Sequence, residues 1–172
     1  MKKIALTTLT LLFANINFAQ TNFQWEKRDS VAKTKAQLYS DTKMFIAEEW
    51  KSAQSVIQND DKEVGMILVK GLSSQTLFFQ MNSHNWTFSY TVSFFMKENK
   101  YRILINNVSC TAARCQQNEW PHIICSDTYP GWWETSLNEE RYKQLMLALK
   151  TELQIIVDSY DKYIKSPSKS DW

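Results

Sequence analysis

The sequence predicts an α+β domain, a curved antiparallel sheet of about five strands with an N-terminal helix and a long C-terminal helix packed on one face. Three segments carry this prediction: residues 86–108 are typical of a long β-hairpin, residues 34–50 of an amphipathic helix and residues 137–164 of a longer one. Apolar side chains recur with a period of two in the first segment and near helical spacing in the other two. These repeats belong to a strand with one buried face and to a helix with one buried side.

The hairpin is the most regular part of the chain. Residues 86–97 alternate apolar and polar side chains. A two-residue turn at residues 98–99, where asparagine tolerates a positive φ, pairs Phe94 with Ile103 and places the apolar residues of both arms on one face. A slip of one residue would bring Arg102 onto that face, so the pattern itself predicts the register.

Capping boxes mark the start of both helices. Thr34 with Gln37 opens the first, and Ser136 with Glu139 opens the second, which covers residues 137–164. At about 1.5 Å per residue the second helix is roughly 40 Å long, enough to lie along the hairpin and cover its apolar face. The same stripe suits an intermolecular coiled coil, an alternative that its tyrosines disfavour. The stripe consists of Tyr142, Met146, Leu149, Leu153, Ile156, Tyr160 and Tyr163.

The remaining strands are shorter and less regular. Residues 21–28 are expected either to add an edge strand or to lie across the core. An acidic turn at residues 59–63 lacks the glycine and distal glutamate of an EF-hand, so we interpret it as a solvated hairpin turn. Short strands are predicted at residues 55–58, 66–71 and 76–81, the last two joined by residues 72–75.

The first residues are typical of an export signal. Residues 1–19 have a positively charged start, a short apolar centre and a small residue, Ala19, after which we expect cleavage. The apolar stretch is too short to span a membrane, and no second candidate follows it. We therefore expect a periplasmic or secreted protein with one domain at residues 20–165 and a polar tail at residues 166–172.

Charge argues against a nucleic-acid partner. The chain has 20 basic and 18 acidic side chains, and cleavage takes away Lys2 and Lys3, which leaves equal numbers. No segment resembles the basic stripe that neutralises phosphates along a nucleic acid.

Three cysteines, Cys110, Cys115 and Cys125, lie close together in the sequence. In an exported protein they predict one disulfide, for which Cys115 with Cys125 is the candidate pair and Cys110 with Cys115 the alternative. Together with His122 they also have the ligand types of a structural zinc site, an alternative that an oxidising compartment disfavours. The sequence predicts no cofactor.

An aromatic segment at residues 117–135 is too long for an ordinary loop and too aromatic for disorder. One interpretation is that its tryptophans cover one end of the core. The other is that Trp120, Tyr129, Trp132 and Trp133 offer flat faces to a sugar, a peptide or a partner protein.

Catalysis finds little support in the sequence. Asp127 and Glu134 are the only carboxylate pair suited to glycoside cleavage, and His122 with Cys125 the only nucleophile pair; these define the alternative of an envelope-associated hydrolase. The leading hypothesis is a non-enzymatic binding module for an envelope protein, a peptide or a glycan. It would act through residues 117–135 or through the sheet face that no helix covers. A further alternative is a carrier with a pocket for an apolar small molecule between the sheet and the long helix.

Short motifs between residues 35 and 108 resemble those of a known family. They are Leu38-Tyr39, Trp50, Val56-Ile57-Gln58, Asp61-Lys62-Glu63, Gly65, Lys70-Gly71 and Lys100-Tyr101-Arg102. With this pattern the chain resembles the exported bacterial proteins of domain-of-unknown-function family 4468. The resemblance implies a TATA-binding-protein-like (TBP-like) fold and no known activity, and the fold name does not imply DNA binding. The cysteine-bearing aromatic segment lies outside the pattern.

Overall fold

The computed structural model describes residues 23–50, 53–79, 82–110 and 138–167. Its five strands form one antiparallel sheet in the order β1-β5-β4-β3-β2, which confirms the predicted α+β class. No helix within these ranges is long and apolar enough to cross a membrane. The elements are β1 (Trp25–Ser30), α1 (Lys35–Trp50), α2 (Ala53–Val56), β2 (Ile57–Asp61), β3 (Met66–Phe79), β4 (Asn82–Lys97), β5 (Lys100–Cys110) and α3 (Glu139–Lys165).

The central hairpin has the predicted register. Phe94 pairs with Ile103, and Asn99 in the turn has a φ of 57°. Further along, β5 carries one extra residue at Asn107, whose φ of 53° marks a β-bulge. The bulge shifts the alternation by one residue, which returns Val108 and Cys110 to the buried face.

Two strand predictions are wrong. The predicted strand at residues 55–58 is instead the end of α2 followed by the start of β2, and β2 continues to Asp61 through most of the turn predicted at residues 59–63. Residues 72–75, predicted as a connection, continue β3 without a break because each of them pairs with β4. Ser73 is buried there, and its hydroxyl donates to Glu152 Oε2 at 2.7 Å. This polar run, which pairs with β4 on one side only, is therefore stabilised by contacts with α3 that a local pattern does not reveal.

The N-terminal elements close the helix-bearing face. β1 is the edge strand that was one of the two expectations, although it begins at Trp25. The capping box of α1 is confirmed: Thr34 Oγ1 accepts from the Gln37 amide at 3.2 Å, and Gln37 Oε1 accepts from the Thr34 amide at 2.9 Å. From this start α1 buries Leu38 and Phe45 against the sheet.

The long helix begins later than predicted. Its N-cap is Asn138, whose side chain accepts from the Arg141 amide at 3.0 Å, so the predicted box of Ser136 with Glu139 does not open it. Asn138 satisfies a free amide of the first turn, which is what defines the start of a helix. The helix ends at Lys165, close to its predicted end.

The apolar stripe of α3 packs inside the chain. Leu149, Leu153 and Tyr160 have no exposed surface, and Tyr163 is half-buried beside α1. The coiled-coil alternative is therefore wrong, since the sheet already covers the stripe. One face of the sheet, called the covered face below, lies under α1 and α3.

A polar cluster anchors the end of α3 to the sheet edge. Asp161 accepts a hydrogen bond from Tyr101 and forms ion pairs with Lys27 at 3.0 Å and Lys165 at 2.9 Å. Lys165 also pairs with Asp29 at 2.7 Å. α3 thus lies along the hairpin, as its length predicts, with its last turns over β5 and β1.

Candidate functional site

Most of the predicted site residues lie outside the described residues. This holds for the aromatic set Trp120, Tyr129, Trp132 and Trp133, for the candidate disulfide Cys115–Cys125, and for His122, Asp127 and Glu134. Cys110 alone is described; it ends β5 and is buried on the covered face. Within the four described ranges no cluster of histidine, cysteine and carboxylate side chains is suited to a metal ion. The zinc and disulfide alternatives stay predictions.

The other predicted working surface is the sheet face opposite the helices, and the residues of β3, β4 and β5 that form it lie within the described ranges. Because directly paired residues of antiparallel strands share a face, the register assigns every second residue of β3, β4 and β5 to it. We call this the open face. It carries Leu72 on β3, 64% exposed, and the hydroxyl row Ser89, Thr91 and Ser93 along β4.

Small polar side chains occupy the middle of the open face. Ser89 and Ser109 share a hydrogen bond of 2.9 Å between their hydroxyl oxygens across β4 and β5. Beside them, Asn106 Oδ1 is buried and accepts no hydrogen bond from the part of the chain described here. An unpaired buried acceptor costs about 1–3 kcal/mol, so this oxygen lowers the stability of the sheet at this position.

One corner of the open face is positively charged. Arg28 on β1, Lys100 and Arg102 on β5 and Lys97 on β4 surround a shallow depression of about 680 Å³. We call these four residues the basic corner. Phe95 also lines the depression, and the Arg102 guanidinium lies over its ring at 5.3 Å from the ring centroid.

Glu26 holds the two arginines of the basic corner in place. Its Oε1 accepts from Arg28 Nε and lies 3.1 Å from Arg102 Nε in an ion pair, while its Oε2 accepts from Arg102 Nη2 at 3.2 Å. The hydrogen bond from Arg28 lowers the pKa of the Glu26 carboxyl, an effect that burial opposes and Arg102 reinforces. The same bond raises the pKa of Arg28. Glu26 and Arg28 therefore stay charged at neutral pH.

Like charges face each other twice in the basic corner. Lys97 pairs directly with Lys100 across the hairpin, and Arg28 pairs directly with Arg102 across β1 and β5. Directly opposed like charges destabilise a sheet. Glu26 offsets the arginine pair, whereas the two lysines are exposed and have no ion-pair partner among the described residues. A site that is unfavourable for folding is a candidate for binding.

The covered face leaves little room for a ligand where its described residues meet α3. The Tyr160 ring lies 4.7 Å from Phe94, 5.2 Å from Phe45 and 5.6 Å from Tyr101, measured between centroids. Its hydroxyl shares a buried hydrogen bond of 2.9 Å with Thr42. This end of the interface is a packed core, which disfavours the apolar-carrier alternative there.

Burial also keeps the tyrosines of the covered face protonated. It raises the pKa of Tyr90 to about 12, although the hydrogen bond with Trp50 acts in the opposite direction. It likewise raises the pKa of Tyr160. Both phenols are therefore protonated at neutral pH.

Sequence reasoning missed the basic corner. Lys97 and Arg102 were recognisable only as polar residues on the outer side of the hairpin. The signal that was present is the pair of lysines flanking the turn. Arg28 gave no such signal, because its place beside Arg102 depends on the register of β1, which no local pattern specifies.

The antiparallel sheet with helices on one face and an open opposite face defines an α+β protein of the TBP-like type. The chain belongs to the family described as "domain of unknown function (DUF4468) with TBP-like fold", whose pattern matches residues 26–111, half of the chain. The resemblance seen in the short motifs is therefore confirmed. No curated protein sequence matches this chain.

Two crystal structures share the fold. A TBP-like protein from Parabacteroides distasonis is 11% identical with a TM-score of 0.61, over 84% of this chain and 94% of that one. A DUF4468 family protein from Bacteroides ovatus is 13% identical with a TM-score of 0.59, over 85% of this chain and 88% of that one. At these identities the likeness shows the fold alone.

Proposed function

We propose that this protein is a non-enzymatic binding module that acts in the bacterial envelope or outside the cell, and that the open face is its working surface. The observation that carries the proposal is the asymmetry of the sheet. One face is filled by α1 and α3, while the other exposes Leu72 and holds opposed cations at one corner. Directly opposed cations destabilise a sheet, so their place on an exposed face supports a binding role.

The open face carries polar groups of a kind that suits recognition rather than catalysis. Ser89 and Ser93 of its hydroxyl row are buried, so the groups within reach of a partner are Leu72 and the cations of the basic corner. General acid–base chemistry needs two titratable groups brought to one substrate. The basic corner instead brings together four side chains of the same charge type.

The binding proposal is tested with a photo-cross-linking amino acid at Leu72 of the open face in cells that naturally produce the protein. The matched control carries the same group at Ile155 on the outer side of α3, where exposure is 56% against 64% for Leu72. We expect discrete cross-linked products from the Leu72 position only. Equal products from both positions, or products from Ile155 alone, would overturn the proposal.

The aromatic segment is tested in the same experiment. If residues 117–135 belong to the working surface, replacement of Trp132 and Trp133 by alanine will weaken the cross-links from Leu72. If the tryptophans only cover the core, the double variant will lose thermal stability and keep its cross-links at a temperature where it is folded.

Export is the second part of the proposal, supported by the charged start and short apolar stretch of residues 1–19. Intact-mass measurement of the protein recovered from the periplasm or medium should give the mass of residues 20–172. One disulfide lowers that mass by about two hydrogens relative to the reduced chain. Recovery of the uncleaved chain from the cytoplasm would refute export.

A further inference from the structure

We propose that the basic corner binds a compact polyanion, a small molecule with at least two carboxylate or phosphate groups a few ångströms apart. This inference rests on the proposed function, because it takes the open face as the working surface. It adds the chemical class of the ligand and the side chains that recognise it.

The spacing of the four cations suits such a ligand. Lys100 and Arg102 lie two residues apart on β5, about 7 Å, while Lys97 and Arg28 lie on the neighbouring strands, about 5 Å to either side. The side chains of all four residues lie on the open face. Their flexible side chains can therefore converge on two adjacent anionic groups.

The donors of the corner are largely uncommitted. Arg28 uses Nε on Glu26, which leaves its Nη groups for a ligand, and Arg28 has a side chain that is 69% exposed. Glu26 contributes one negative charge against the four positive charges of the basic corner, so the positive charge is only partly neutralised. Guanidinium groups match carboxylate and phosphate in planar, paired hydrogen bonds, and lysines add mobile point charges.

The other carboxylates near the corner are engaged elsewhere. Glu98, in the turn between the two lysines, accepts from the Lys35 amide at 3.0 Å and so caps α1. Asp29 also lines the depression, but its carboxylate pairs with Lys165 at 2.7 Å. Among the described residues, neither carboxylate forms an ion pair with Lys97 or Lys100.

The distribution of charge favours a compact ligand over a long one. Away from the corner, the described residues of β3, β4 and β5 on the open face are hydroxyl, amide or apolar side chains, apart from Lys70 on β3. A nucleic acid or an extended acidic polymer requires a stripe of cations along its path. Four cations around one depression of about 680 Å³ instead match the size of small-molecule sites.

Isothermal titration calorimetry of the mature protein, residues 20–172, with tripolyphosphate and with citrate at low ionic strength tests the inference. The double variant Lys97→Gln/Lys100→Gln removes two cations without touching the Glu26 network. The control, Lys62→Gln/Lys70→Gln, removes the same charge from exposed positions outside the corner. We expect one-site binding of at least one probe, weakened about tenfold or more in the corner variant and less than about twofold in the control.

Thermal melts separate binding from folding. Because Lys97 and Lys100 are directly opposed, their replacement should leave the melting temperature unchanged or raise it, while the affinity falls. Loss of affinity together with loss of folded structure would be a folding effect and would overturn the assignment of these lysines to the site.

Three further results would overturn the inference: no binding of either probe, equal weakening in both double variants, or tighter binding of hexaglutamate or a single-stranded oligonucleotide than of tripolyphosphate and citrate. The last result would assign the face to an extended polymer. Cross-linking from Leu72 does not depend on the corner cations. Cross-links without probe binding would therefore refute the ligand class and leave the proposed function standing.

Discussion

Replacement of Leu153 by aspartate should abolish the folded state. Leu153 has no exposed surface on the side of α3 that faces the sheet. Truncating a buried leucine to alanine costs about 2–5 kcal/mol, and a carboxylate in an apolar site adds several kcal/mol more. The sum is comparable to the free energy of unfolding of a typical domain, about 5–15 kcal/mol. The milder Leu153→Ala should lower the melting temperature by about 4–20 °C, since each kcal/mol corresponds to about 2–4 °C at this chain length.

Circular dichroism during heating and during urea titration measures both effects. The matched control is Ile155→Asp, two residues along the same helix but 56% exposed, for which we expect a change within about 0.5 kcal/mol. A cooperative melt of Leu153→Asp near the wild-type temperature would refute the packing of α3 on the sheet. Equal losses in the Leu153 and Ile155 variants would refute the assignment of the buried side.

Gly71→Ala should lower the free energy of unfolding by about 1–3 kcal/mol in urea titration, because an added Cβ would lie 2.3 Å from the Tyr90 ring. The control Ser74→Ala, on the exposed side of the same strand, should be nearly neutral. Equal effects of the two substitutions would contradict the close approach of Tyr90 to Gly71. Burial alone would raise the pKa of Asp161, but hydrogen bonds, first that of Tyr101, lower this pKa below its ordinary value. The stability it contributes is therefore present above about pH 4 and lost as the pH falls through its folded-state pKa. Asp161→Asn should cost about 1–3 kcal/mol at pH 7, and the difference from wild type should shrink below pH 4; a constant difference across this range would refute the assignment.

Local patterns were sufficient wherever one face of an element is buried. The hairpin register followed from alternation alone, because a slip of one residue reverses every side chain. The buried side of α3 followed from helical spacing for the same reason. These patterns failed at two places. At residues 72–75 the burial of Ser73 is stabilised by its hydrogen bond to Glu152 on a distant helix. At the start of α3, Asn138 is one of several neighbouring residues whose side chains are able to cap a helix.

The sequence by itself determined the fold class. A strand or a helix with one buried face needs apolar side chains at a spacing of two or of about 3.6 residues, and this spacing is visible within each segment. The sequence also identified the family, through short motifs that accompany the same elements. Only the tertiary structure decided which polar residues share a surface. Arg28 and Lys97 lie far apart in the chain and meet around β5 because β1 pairs with β5 in one register. Pairing between distant strands depends on the whole core, so the basic corner became visible only once the sheet was assembled.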